Sequence, residues 1–164
     1  MFFCLLVLAA CGTPRTEWPA HIASLNGFSS DESKEILASI EKLNGLSDKP
    51  LLTTTGDPTL KTYLIHVTRS NPWPDEPMTA GITMREDEVC HVELSTELFK
   101  SEREDYVDSV VWHELGHCAG LRHNPKAGSM MFATAKPFTL FSNDSLKSFI
   151  LDVENSLSSE ALGH

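Results

Sequence analysis

Three histidines and one glutamate lie close together in the run HELGHCAGLRH, residues 113–123. His113 and His117 are four residues apart, so on a helix they share one face and can bind a single ion. Glu114 directly follows the first histidine, a spacing that places its carboxylate beside the metal, where it can act on water. Gly120 can adopt a positive φ, which ends the helix and lets His123 return as a third ligand. Three neutral nitrogens leave one position of a tetrahedral zinc ion open, which predicts a catalytic Zn²⁺ site.

The same run resembles the extended zinc signature HExxHxxGxxH of the metzincin metallopeptidases. In that family a methionine turn follows the signature, and here Met131 lies eight residues after His123 in the run GSMMF, residues 128–132. This turn resembles that of the matrixins, with Met131 as a hydrophobic floor beneath the zinc. The resemblance implies a zinc endopeptidase in which three histidines, His113, His117 and His123, hold one Zn²⁺ ion and Glu114 is the general base.

The other four histidines lie outside this run, at His21, His66, His91 and His164. None has a partner at metal-ligand spacing, so each is predicted to be a surface or strand residue. A glutamate downstream of the run is the alternative third ligand, and Glu154 and Glu160 are the two that lie there. His123 already fills this role in the motif, which favours a site of three histidines.

The chain begins with an apolar run, MFFCLLVLAAC, residues 1–11. It is too short to span a bilayer as a helix, and no Lys or Arg precedes it, although signal peptides normally start with positive charge. Its end, Leu8 to Cys11, nevertheless resembles the lipobox of bacterial lipoprotein signal peptides. We therefore expect a signal peptide over residues 1–11, lipidation at Cys11, and export to a lipid-anchored position at the bacterial cell envelope, on the outer membrane or cell surface. The alternative is a buried N-terminal strand or helix.

Length and charge narrow the class of protein further. A chain of 164 residues is enough for one domain with one core. The formal net charge of −10 argues against nucleic acid or an anionic membrane surface as an electrostatic partner. We therefore expect a monomer that acts on a peptide or protein, binds no nucleic acid, and meets the membrane through its lipid anchor. Residues 12–26 are predicted to be a tether, and residues 20–164 the metallopeptidase domain.

Two cysteines, Cys90 and Cys118, remain once the signal peptide is removed and Cys11 is lipidated. In an exported protein such a pair can form a disulfide, but two buried free thiols fit the sequence equally well. Cys118 follows His117 by one residue, which is about 100° around a helix, so it is predicted to point away from the zinc.

Hydrophobic patterning indicates the elements that must position the site. Apolar residues at helical spacing predict three helices. Apolar and turn patterns predict one short strand before the first helix and three strands between the first two helices. Ser29 or Ser30 would cap the first helix, Ser101 and Glu104 form a capping-box pattern for the zinc helix, and Ser142 or Asn143 would cap the last. The predicted strands are 21–25, about 63–67, 78–84 and 89–95, and the predicted helices are 30–44, about 102–119 and 142–157.

This order of elements predicts an α+β fold, and it resembles the metzincin domain. The resemblance implies a mixed, twisted sheet of about four or five strands, two helices, a zinc cleft, and a small C-terminal subdomain with one helix. It also implies that the strand before the last is an edge that pairs with an extended substrate peptide. That role falls on five residues: Thr79, Ala80, Gly81, Ile82 and Thr83. Residues 132–138 would wall the neighbouring substrate pocket.

Two functions of different classes fit the sequence. The first is a zinc endopeptidase that hydrolyses peptide bonds with a water molecule activated by Glu114. The second is a lipid-anchored zinc-binding protein without proteolytic activity, acting in binding or adhesion. Glu114 favours the first, because a binding module has no need of a general base beside its metal.

Overall fold

The computed structural model describes residues 17–56, 62–75, 79–86, 88–100, 104–133 and 141–162. The predicted α+β class is confirmed: a mixed sheet packs with a first helix and a zinc helix, and a third helix follows near the C-terminus. In chain order the elements are β1 (Glu17–Asn26), α1 (Ser30–Asn44), β2 (Leu52–Thr53), β3 (Thr62–Ser70), β4 (Gly81–Arg85), β5 (Val89–Ser95), a 3-10 turn (Leu98–Lys100), α2 (Glu104–Cys118) and α3 (Asn143–Leu162).

The five strands form one sheet in the order β2-β1-β3-β5-β4. The first three pairings in this order are parallel, whereas β4 runs antiparallel to β5 as the predicted hairpin requires. Within the described residues, β4 therefore forms one edge of the sheet.

The edge strand differs in its bounds from the predicted Thr79–Thr83. Thr79 and Ala80 precede the strand, which continues to Arg85 because β5 pairs with it as far as the hairpin turn. At that turn the backbone N–H of Glu86 donates to the carbonyl of Val89 at 2.8 Å. Ala80 still accepts a hydrogen bond from Ser95 N–H at 2.9 Å, so contact with β5 begins one residue before the strand does.

Strand β1 is longer than the five residues predicted and begins within the segment expected to be a tether. It lies between β2 and β3. Strand β2 pairs with it at Ala20 and His21, whereas β3 pairs with it from Glu17 to Asn26, so pairing with β3 extends the strand. Ala20 and Ile22 are buried on its core face. The predicted signal peptide, the lipidation site Cys11 and the first residues of the tether lie outside the described residues.

Helix α1 begins and ends as the sequence predicts. Ser29 accepts a hydrogen bond from Glu32 N–H while the Glu32 carboxylate accepts one from Ser29 N–H, which completes a capping box. Gly45 follows the last helical residue. The buried face of the helix packs against α2, where Trp112 Nε1 donates to the carbonyl of Ser39 at 2.9 Å.

Helix α2 carries the histidine motif and lies against the sheet. It is described from Glu104, and the predicted cap Ser101 lies outside the described residues. Four of its residues at helical spacing are buried: Val107, Val111, Leu115 and Cys118. Cys118 forms a disulfide with Cys90 of β5, with 5.6 Å between their Cα atoms, where the sequence had left free thiols equally open. The bond joins the C-terminal end of the zinc helix to the strand beneath it.

Helix α3 extends further than the predicted end near residue 157. Ser142 caps it, since Ser145 N–H donates to the Ser142 hydroxyl at 3.2 Å. Phe149, Ile150 and Val153 are buried, and Phe149 reaches the zinc helix at Gly116. Among the helices of the described residues, none combines the length and apolar character needed to cross a bilayer.

Candidate metal centre

The three histidines of the motif converge on one point in the structure. His117 Nε2 lies 3.1 Å from His113 Nε2 and 3.1 Å from His123 Nε2. The ligand atoms of all three residues lie within 4.8 Å of one another, close enough to hold one metal ion. Nitrogens bound to tetrahedral zinc at about 2.0–2.1 Å would be about 3.3 Å apart, so the observed spacing fits Zn²⁺.

Backbone carbonyls orient two of the three imidazoles. His113 Nδ1 donates to the carbonyl of Met130 at 2.8 Å, and His117 Nδ1 donates to the carbonyl of Leu121 at 2.8 Å. A carbonyl can only accept, so the proton of each neutral ring lies on Nδ1 and the Nε2 lone pair is available to a metal. Such partners fix the tautomer and the ring plane of a metal ligand.

A Schellman turn at the end of α2 returns His123 to the other two ligands. Gly120 has a φ of 87°, a conformation in which a side chain would be strained. Its N–H donates to the carbonyl of His117, and Leu121 N–H donates to that of Gly116, the two hydrogen bonds that define this turn. The turn also directs the Leu121 carbonyl to His117, so helix termination and ligand orientation share one local structure.

Met131, the predicted methionine of the turn, is buried directly against the zinc helix. A Cβ added at Gly116 would lie 2.6 Å from Met131 Sδ and 2.8 Å from Phe149 Cε2, so only glycine fits at this position. The Met131 carbonyl accepts a hydrogen bond from Asn124 N–H at 2.7 Å, which closes the loop that follows His123. Met130, its neighbour, supplies the carbonyl bound to His113, so the two methionines support different parts of the site.

Glu114 is buried beside the edge strand β4. The hydroxyl of Thr83 donates to Glu114 Oε2 at 2.5 Å, and a Cβ added at Gly81 would lie 2.7 Å from Glu114 Oε1. Burial raises the pKa of the Glu114 carboxyl, while the Thr83 hydrogen bond and the charge of His117 act in the opposite direction. The carboxylate therefore lies in a desolvated position next to the first histidine ligand.

Burial also affects the histidines. It lowers the pKa of His113 to about 4, with the charges of His117 and His123 acting in the same direction and the Met130 hydrogen bond opposing them. The pKa of His123 is lowered as well, first by desolvation and then by the charge of His117. Both shifts favour the neutral form that a metal ligand must have.

The other described histidines, His21, His66 and His91, are not part of the three-histidine group, but each has a neighbour of its own. His66 and His91 are register partners on β3 and β5, and their rings stack with centroids 5.5 Å apart, a pairing that sequence spacing did not reveal. The Ser24 hydroxyl lies 2.9 Å from His66 Nδ1, and Thr53 Oγ1 lies 3.2 Å from His21 Nδ1. The prediction for His164 lies outside the described residues, as do residues 134–138 of the predicted pocket wall.

A cavity of about 350 Å³ lies behind the methionine turn. It is bounded on one side by the loop after His123 and on the other by the first turns of α3. Its lining is polar except for two buried side chains, Met131 and Phe149. Those two are the side chains that meet Gly116, so the cavity and the metal centre share one wall.

Sequence reasoning did not find the partners that hold the ligands and the base. It named Gly81 and Thr83 as residues of the edge strand, but not as neighbours of Glu114. The available signal was their spacing, because residues two apart on a strand share a face and that face meets the zinc helix. The carbonyls of Met130 and Leu121 carry no signal, since every residue has one.

Residues 27–147, more than half of the chain, match the sequence profile of the matrixin family of peptidases. The chain therefore belongs to the matrixins, as the resemblance of its zinc signature and methionine turn implies. Matrixins are zinc metallopeptidases that bind catalytic zinc and act on peptides or proteins, and the three-histidine group supplies a place for the ion. A comparison with curated proteins finds no match.

Proposed function

We propose that this protein is a zinc endopeptidase that hydrolyses peptide bonds by direct attack of water, with Glu114 as general base. The observation that carries the proposal is the position of a buried carboxylate, Glu114, next to three histidines whose Nε2 atoms converge. A zinc ion held there would supply Lewis acidity and lower the pKa of water to near 7. His113, His117 and His123 are the residues that would hold it.

Glu114 carries the proton in this mechanism. One carboxylate oxygen accepts a proton from the attacking water and then passes it to the nitrogen that leaves the scissile bond. Its burial supports this role, because a carboxylate with a raised pKa exchanges protons more readily near neutral pH. Water is the nucleophile, so no covalent intermediate with the protein forms.

Strand β4 is the proposed site for the substrate backbone. An extended peptide would add to the edge of the sheet through backbone hydrogen bonds, which hold many sequences in one geometry. The edge position of β4 and its contact with Glu114 through Gly81 and Thr83 support this role. A peptide bound there would lie alongside the general base.

The proposal includes export and a lipid anchor at Cys11, as the first eleven residues indicate. The disulfide between Cys90 and Cys118 supports it, because disulfides persist in oxidising compartments outside the cytosol. Radiolabelled palmitate incorporation into the full chain and into Cys11→Ser, followed by membrane fractionation, would test this part. Equal labelling of the two proteins would refute the anchor.

Chelator-sensitive cleavage of a mixed peptide library tests the enzymatic proposal. The protein that starts at residue 12 should cleave the library, lose this activity in a chelator and regain it with added Zn²⁺. Glu114→Gln should retain zinc and cleave about 10²- to 10⁴-fold more slowly. Zinc binding without any cleavage by the wild-type protein would instead establish the binding module, and near wild-type cleavage by Glu114→Gln would remove Glu114 from the mechanism.

A further inference from the structure

The face of β4 that meets the zinc helix carries two residues in contact with Glu114. Gly81 and Thr83 are two residues apart, so they share one face of the strand. Their register partners on β5 are Leu94 and Val92, both buried in the core beneath α2. The strand thus brings a glycine and a hydroxyl to the same carboxylate.

The hydroxyl of Thr83 engages one oxygen of that carboxylate. Thr83 Oγ1 lies 2.5 Å from Glu114 Oε2 and 3.2 Å from the Glu114 backbone carbonyl. A hydroxyl has one proton to donate, and the ionised oxygen at the shorter distance is the stronger acceptor. The hydrogen bond therefore fixes Oε2 and restricts rotation of the carboxylate.

Gly81 confines the other oxygen. A Cβ at this position would lie 2.7 Å from Oε1, 2.8 Å from Cγ and 2.9 Å from Cδ of Glu114, so the carboxylate packs directly on the strand backbone. One oxygen is held by a hydrogen bond, and the plane of the group is held by contact with Gly81. A side chain with three rotatable bonds is thereby restricted at two points.

We propose that Thr83 is a positioning residue for Glu114, and that Gly81 provides the space in which the positioned carboxylate lies. Because Oε2 is engaged by Thr83, Oε1 is the oxygen that accepts the proton of water. This inference rests on the proposed function, in which Glu114 is the general base. It assigns to β4 a second task besides binding the substrate backbone.

Kinetics of Thr83→Val test the proposal in the zinc-loaded protein. Valine keeps the β-branched shape that suits a strand but removes the hydroxyl. We expect kcat to fall about 10- to 100-fold with KM changed by less than about 3-fold, because misplacement of a general base lowers the rate and not substrate binding. Thr83→Ser restores a hydroxyl and should recover kcat to within about 3-fold of wild type.

The same substitution at an exposed strand position provides the control. Thr68 of β3 is exposed, so Thr68→Val should leave kcat and KM unchanged. Gly81→Ala provides a second test, because the added Cβ must displace the carboxylate. It should lower kcat while zinc binding, measured by calorimetry, stays as in wild type.

A readout that needs neither zinc nor turnover comes from thermal unfolding of the metal-free protein. Thr83→Val should lower the midpoint in the wild-type background and lower it less in the Glu114→Ala background, since its partner is then absent. If Thr83→Val lowered the unfolding midpoint equally in the two backgrounds, the contact between Thr83 and Glu114 would be overturned. This measurement stays informative if a variant is inactive because it is partly unfolded.

The outcomes separate this inference from the proposed function. If wild type cleaves no peptide, the proposed function fails and the catalytic role of Thr83 fails with it, whatever the unfolding data show. If wild type cleaves and Thr83→Val retains full kcat, the endopeptidase stands and the positioning role is overturned. A loss of kcat that Thr83→Ser does not recover would also overturn it, because a hydroxyl would then not be the required group.

Discussion

At the scale of single residues, metal binding depends on histidines that are neutral, and burial in this site favours the neutral form. The ordinary pKa of histidine is near 6.5, and burial lowers that of His113 to about 4. In the metal-free protein, NMR titration of the imidazole should therefore show His113 neutral down to about pH 4. A titration midpoint near 6.5 would contradict the buried position of this ring.

The same shift has a consequence for stability whose sign follows from proton binding. Between pH 6.5 and about 4 the unfolded chain binds a proton at residue 113 that the folded chain does not bind. The contribution of neutral His113 to the free energy of unfolding is therefore fully present above pH 6.5 and is lost as the pH falls toward 4. Chemical unfolding of metal-free His113→Asn should show a smaller loss of stability over this range than wild type.

Gly116 is a second residue at which the structure makes a sharp prediction. Alanine normally favours a helix by about 1 kcal/mol over glycine. Here the added Cβ would lie 2.6 Å from Met131 Sδ, so Gly116→Ala should lower the free energy of unfolding by about 1–3 kcal/mol, measured by chemical denaturation.

The control for this prediction is Gly45→Ala. Gly45 has a φ of −69°, and the nearest atom to an added Cβ is 3.4 Å away, so its replacement should change stability little. Equal stability of Gly116→Ala and wild type would mean that the methionine turn is not packed against α2 as described.

These residues also mark the limit of prediction at this scale. The ligands and Glu114 follow from spacing on one helix, which is local information. Thr83 lies 31 residues before Glu114, and the Met130 carbonyl that orients His113 lies 17 residues beyond it. Their contacts depend on how strands and turns pack on the helix, which spacing alone does not specify.

At the scale of elements, the disulfide between β5 and α2 stabilises the connection of the zinc helix to the sheet. It closes a loop of 28 residues, which the chain-entropy relation values at about 3–4 kcal/mol. The double variant Cys90→Ala with Cys118→Ala should lose about that much unfolding free energy in denaturant titrations. Its unfolding should also be independent of added reductant, whereas wild type under reductant should approach the variant.

The position of this bond gives a further expectation for zinc. Cys118 is two residues before Gly120, whose turn returns His123 to the site. Without the disulfide the end of α2 can fray, so zinc affinity measured by calorimetry should fall together with stability. Unchanged affinity in the double variant would show that the turn holds its geometry without the bond.

Element order was predictable from the sequence where hydrophobic periodicity was strong, as in α1 and the β4–β5 hairpin. The ends of the elements were less predictable from the sequence. Strand β1 extends to Glu17 because Glu17 pairs with Thr62 of β3, and β4 extends to Arg85 because of pairing with β5. Backbone pairing is a tertiary property, so the predicted tether and edge strand had different bounds.

At the scale of the whole molecule, the family match and the described fold agree on one matrixin domain. The sequence predicted the α+β class because the motif is specific for one family and the remaining elements occur in a compatible order. The strand order β2-β1-β3-β5-β4 was not predictable, since it depends on which strand edges meet in space. The metal site connects these parts, because its ligands lie on α2 and on the loop that leads to Met131.

Metal removal should therefore lower the stability of the whole domain. Zinc at about 1,000 times its dissociation constant adds about 4 kcal/mol to the free energy of unfolding, provided that it binds the folded chain alone. Thermal unfolding midpoints should rise with Zn²⁺ and return to the metal-free value in a chelator. Glu114→Gln should show the same rise because it keeps all three ligands, whereas His117→Ala, which removes the histidine nearest to both others, should show little. If zinc raised the unfolding midpoint of His117→Ala as much as that of wild type, the stabilising ion would have to bind elsewhere in the chain.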